Sequence, residues 1–167
     1  MEETAGAGVR SGDGGIKVVA QFDIKRIKDK ALVVIEGLNV FKDVKSFTAK
    51  KDAKPGGKED APEFNIYPAA SVCYLGTASD QAVPRPRVVH VFESLVVAKN
   101  VKGEEAASEE AEVLVAHVWN AINGKTLGLD GVEPFVCFGV ELVSYKAGII
   151  TYAVQYHVCE FLEVVVE

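Results

Sequence analysis

Pro68 stands in the middle of a run from Glu63 to Leu75 in which Phe64, Ile66, Pro68, Ala70, Val72 and Tyr74 alternate onto one face of an extended strand. A proline has no N–H to give to a sheet ladder, so the run predicts an edge or bulged strand. An unprotected edge is a template for pairing with another chain. The chain therefore reads first as a component of an assembly, with Phe64, Ile66, Tyr67, Pro68, Val72 and Tyr74 as its lateral contact.

A second run limits where that strand can lie. Arg85 to Lys99 is apolar on both faces, with Val89, Val91, Leu95 and Val97 on one and Val88, Phe92 and Val96 on the other. Such a strand belongs at the centre of a sheet, covered on both sides by helices or by a neighbouring subunit. Helical spacing recurs twice. Ala20, Ile24, Ile27, Ala31, Val34 and Leu38 predict an amphipathic helix over Ile16 to Leu38, closed near Gly37. Ala111, Leu114, Val115, Val118 and Ile122 predict another, with Ser108 as N-cap, Glu109 and Glu110 beside the positive end of the helix dipole, and Asn123-Gly124 as its stop.

Between these lie a modest strand over Val40 to Ala49, a charged loop from Lys50 to Pro62 and a turn from Gly76 to Pro84; two strands, Glu133 to Tyr145 and Ile149 to Val166, close as a hairpin across Lys146-Ala147-Gly148. The order α-β-β-β-α-β-β predicts an α+β domain over residues 16–167, with a mixed or antiparallel sheet of four to five strands and two helices on one face. Residues 1–15, with five glycines, read as a flexible arm. Those glycines follow no strand and open no helix, which sets aside a phosphate loop.

Chemistry finds little purchase. The only histidines are His90, His117 and His157, and no Gly-x-Ser-x-Gly turn raises a nucleophile, so each is expected in a structural or surface role. His157 and Cys159 share a strand face, but two ligands do not make a metal site. Cys73, Cys137 and Cys159 sit in apolar runs without Cys-x-x-Cys spacing and read as buried thiols. Trp119 and Tyr67, Tyr74, Tyr145, Tyr152 and Tyr156 are not interleaved with basic residues as a single-strand platform requires, and Trp119 is expected to cap the core or a subunit contact. A net charge of −6 disfavours gripping nucleic acid. No apolar run approaches the ~20 residues of a membrane span. Neither catalytic residue, metal nor cofactor is expected, and the chain is read as a non-enzyme.

The opening helix, the strand around Tyr67-Pro68-Ala69-Ala70, the helix ending in Trp119-Asn120-Ala121-Ile122-Asn123-Gly124 and the closing strand Ile149 to Leu162 together resemble the tail terminator, or tail-completion, proteins of long-tailed bacteriophages and related contractile tail machines. The resemblance spans about Lys17 to Leu162. It implies a hexameric ring in the virion, assembled in the host cytoplasm, that caps the tail tube, stops its polymerisation and docks the head through neck proteins, with sheath as a further partner in contractile tails. DNA would pass through its lumen unbound, and no membrane is involved. Axial contacts with tube and neck are expected from the loops, at Lys50, Lys51, Lys54, Lys58, Asp80 and Gln81. The alternatives are another neck or tail ring protein, such as a head-completion stopper or tube subunit, or a small cytoplasmic ligand-binding or enzymatic domain.

Overall fold

A computed structural model describes residues 6–9, 17–21, 23–48, 63–80, 87–162 and 164–165. Its elements are β1 (Gly6–Val9), β2 (Lys17–Gln21), α1 (Ile24–Glu36), β3 (Asp43–Thr48), β4 (Ala69–Asp80), β5 (Arg87–Lys99), α2 (Glu104–Ile122), β6 (Val136–Lys146), β7 (Ile149–Phe161) and β8 (Val164–Val165). The main sheet has five strands in the order β3-β4-β5-β7-β6. β3 and β4 run parallel, and every other neighbouring pair is antiparallel. α1 packs on β3 and β4, and α2 on β5 and β7. The expected α+β architecture is what the chain adopts.

The centre of the sheet is β5. On its helix-facing side Val88, His90, Phe92, Ser94, Val96 and Ala98 are all buried. Phe92 stacks on Tyr156 of β7 at 6.0 Å between ring centroids and meets Tyr74 of β4 at 5.6 Å. α1 lays Ile27, Ala31 and Ile35 on this surface, and α2 lays Ala107, Ala111, Leu114, Val118 and Ile122. Each Val, Leu, Ile or Phe among them, once removed from water, contributes about 1.5–3 kcal/mol. On the opposite side Phe64, Ala69 and Val97 form a smaller cluster with Tyr67 and Ile149, so the segment before β4 covers part of that face.

Several boundaries differ from the sequence reading. The opening helix begins at Ile24, because Asp23 caps it by accepting from the Arg26 N–H at 3.2 Å, and Lys17–Gln21 instead forms a strand. That strand lies between β1 and β8 in a small antiparallel sheet, so Gly6–Val9, expected in the arm, is a strand too. α2 starts at Glu104 after Gly103, which places Ser108 inside the helix, with Glu104 and Glu105 in the first turn. The Ser108 hydroxyl bonds the Tyr152 hydroxyl at 3.2 Å rather than capping.

The largest correction concerns Pro68. It precedes the first residue of β4 rather than interrupting the strand, and β4 lies between β3 and β5. β3, which pairs with Ala69 to Tyr74, takes the place the sequence reading assigned to solvent or a partner. The ladder needs no N–H from Pro68, whose carbonyl accepts from Lys42 at 2.8 Å.

Candidate functional site

With β4 inside the sheet, the free edges among the described residues are β3 and β6. They differ in character. β3 carries Asp43 and Lys45, whose ammonium lies 3.1 Å from the Asp43 carboxylate, 3.1 Å from the Glu63 carbonyl it bonds, and 5.2 Å from the centre of the Phe64 ring. Lysine on an edge strand is a usual guard against unwanted pairing. β6 carries six large apolar side chains, Val136, Phe138, Val140, Leu142, Val143 and Tyr145, each between 36% and 52% exposed. A soluble monomer rarely presents such a stripe on a strand with an unpaired edge.

The start of β6 is firmly placed. Phe135 and Cys137 are buried. The Asn123 side chain, at the end of α2, accepts from the Cys137 N–H at 3.0 Å, the Gly124 N–H donates to the Phe135 carbonyl at 2.8 Å, and the Phe135 N–H donates to the Lys125 carbonyl at 2.9 Å. Beyond Cys137 the burial ends, and Phe138 to Ala147 has no fully buried residue. Two register shifts, at Cys137/Gly139 and Leu142/Ser144, bracket a regular stretch from Gly139 to Leu142. Such bulges increase local twist and bend the edge. Phe138, in the first bulge, stacks on His157 at 5.8 Å. Paired residues share a face, so Val140, Leu142 and Tyr145 lie on the helix side, opposite Val154, Tyr152 and Ile150, yet stay between 36% and 52% exposed.

The residues expected to make the lateral contact do not form one surface. Val72 is fully buried beneath α1, and Phe64 is buried on the opposite face. Tyr67 is half-buried, its hydroxyl donating to the Phe64 carbonyl at 2.7 Å, and its peptide to the half-buried Pro68 is cis. Tyr74 packs against Phe92, and Ile66 alone is well exposed. Of the expected axial residues, Asp80 is the last residue of β4, and Lys50, Lys51, Lys54, Lys58 and Gln81 lie outside the described residues.

His90 is fully buried between the Thr77 hydroxyl, 2.7 Å from Nδ1, and the Glu160 carboxylate, 2.6 Å from Nε2. The succession of hydroxyl, imidazole and carboxylate has the composition of a nucleophilic triad, but Thr77 also shares a hydrogen bond with the Tyr74 hydroxyl. The group ties β4, β5 and β7 together from inside the sheet. Beside it Arg87 meets Glu133 at 2.7 Å. His117 is exposed beside a groove between the C-terminal ends of α1 and α2, and Trp119 is half-buried against the core. All three cysteines are buried thiols. Among the described residues no helix is long and apolar enough to cross a membrane.

A solved structure shares this fold. A chain of the structure described as "Virion of native gene transfer agent (GTA) particle" superposes with a TM-score of 0.52 at 16% identity, over 83% of this chain and 91% of that one. At that identity the likeness is one of fold. No protein-family profile and no curated protein matches the sequence.

Proposed function

We propose that this chain is a structural component of a phage-like particle, a ring subunit that caps the tail tube, ends its polymerisation and offers the surface on which head and neck dock. The observation that carries this reading is the uncovered apolar edge of β6 on a fold shared with a chain of a virion. A stripe of this kind, rare on a soluble monomer, marks a surface that another protein covers. In a closed ring every subunit supplies that surface to the next and no edge is left over.

Six copies are the number that the resemblance to tail terminators suggests. The tube protein would lie on one side of the ring and neck proteins on the other, with sheath a further neighbour in a contractile tail. The arm, residues 1–15, and the loops at Lys50, Lys51, Lys54 and Lys58 and at Asp80 and Gln81 are proposed as the axial contacts of the domain over 16–167. The particle, at the junction of head and tail, is the proposed location.

Electron microscopy of the purified chain tests the reading, because a tube subunit stacks without limit and a cap does not. Single rings, rather than tubes, are expected to accumulate as concentration rises. Long tubes would identify a tube subunit instead, and a chain that stays monomeric at the highest attainable concentration would remove the ring.

A further inference from the structure

We propose that the lateral contact joins the two unlike edges of the sheet, β6 of one copy lying antiparallel beside β3 of the next. This deepens the ring reading and rests on it. The partner is a second copy of this chain, and three features of the sheet support the pairing.

Strand direction comes first. β3 runs with β4, and each of the next three pairings reverses direction, so β3 and β6 at the two edges run opposite ways. Rotation about an axis along the strands leaves every direction unchanged. A copy placed beside β6 by such a rotation therefore presents β3 in the antiparallel sense.

Charge comes second. One row crosses the whole sheet through directly paired residues, Lys45 to Ser71, Ser71 to Leu95, Leu95 to Ala153 and Ala153 to Glu141. Paired residues share a face, so Lys45 and Glu141 stand at opposite ends of one row on the side away from the helices. Glu141 is exposed and makes no ion pair among the described residues. Continuing the row across the boundary places Glu141 directly opposite Lys45 of the next copy, with Cβ atoms about 5 Å apart. In that register Leu142 faces Val44 and Gly139 faces Phe47, an apolar pair and a large side chain over a glycine. A two-fold contact of β6 with itself centred on Glu141 would instead oppose like charges.

Cover comes third. α1 stands over β3 and β4 of its own copy, whereas Val140, Leu142 and Tyr145, on the same side of the sheet, are left exposed. Pairing β6 with the next copy's β3 brings that copy's α1 alongside this uncovered stretch. A β6 pair related by a two-fold axis brings only a second uncovered stretch.

Disulfide trapping in the full chain distinguishes these arrangements. The double variant K45C/E141C, oxidised under conditions where the wild type forms rings, should give a ladder of covalent oligomers on a non-reducing gel; K45C or E141C alone should give none. A ring-sized mass without a ladder would overturn the edge pairing and leave the ring, and an E141C dimer would replace it with a two-fold contact. A wild type that never forms rings would remove both readings. Charge exchange gives a second readout. E141K should weaken assembly about tenfold or more, and K45E/E141K should return it to within about threefold of wild type. A double variant as weak as E141K would count against the Lys45 to Glu141 contact.

Discussion

Cys137 enters the core at the first residues of β6, and burial pushes its thiol from 9.0 up to about 11. The fold favours the protonated form, so the stability this group lends is intact below pH 9 and is lost as pH rises through 11. Burial shifts the Tyr156 phenol in the same direction, with its effect at higher pH. Urea unfolding should show stability falling between about pH 9 and 11, and Cys137→Ala should flatten that fall while lowering stability at neutral pH. An unchanged slope in Cys137→Ala would assign the effect elsewhere. The burial of these cysteines was legible from the apolar text around them, because a thiol is treated by the core as a small hydrophobe. The network at His90 was not. Its partners Thr77 and Glu160 are 13 and 70 residues away, and only the pairing of three strands brings them to one ring. No spacing rule along the chain encodes a contact made by sheet register.

The hairpin between β6 and β7 turns on two residues in the left-handed region, Ala147 at φ 54° and Gly148 at φ 77°. Glycine adopts this conformation without strain, but the Cβ of alanine crowds the following carbonyl at a cost of about 1–2 kcal/mol. Asparagine tolerates it, and Asn-Gly is the favoured pair for such a two-residue turn. Ala147→Asn should therefore raise stability by about 0.5–1 kcal/mol in chemical denaturation. A loss would mean that the turn is held by contacts the substitution breaks. Gly148→Ala should be harmful, since its new Cβ would stand 3.0 Å from the Asn100 carbonyl oxygen. The hairpin was readable because Lys146-Ala147-Gly148 separates two strongly apolar strands. Other elements misled for identifiable reasons. Ala20 falls at helical spacing from Ile24, which extended the first helix across a β-rich segment that Asp23 in fact cuts off. Phe64 and Ile66 alternate in phase with the strand that follows, so Pro68 read as its middle although it stands just before it. With Pro68 placed inside it β4 read as an edge, and its second neighbour, the short, charged β3, joins it in parallel across residues 49–68, a pairing that no local signal announces.

On the scale of the whole molecule, charge and shape make different demands. Assembly calls for apolar and paired surfaces at the subunit boundary, whereas the proposed ring, through which DNA would pass, must offer it no hold. The chain carries a net charge of −6, and Glu104, Glu105, Glu109 and Glu112 stand exposed along α2. Affinity for a duplex comes chiefly from lysines and arginines that displace counterions from the phosphates, and it rises steeply as salt is lowered. A ring of such subunits has an excess of acid at every order of symmetry, so assembly cannot reverse the sign of its total charge. Duplex DNA mixed with the assembled protein should accordingly migrate unretarded at about 150 mM salt and remain so at about 50 mM, where a phosphate-binding protein would gain orders of magnitude in affinity. Retardation that strengthens on dilution of salt would reveal a basic track created where copies meet, and with it a ring that holds DNA rather than letting it through.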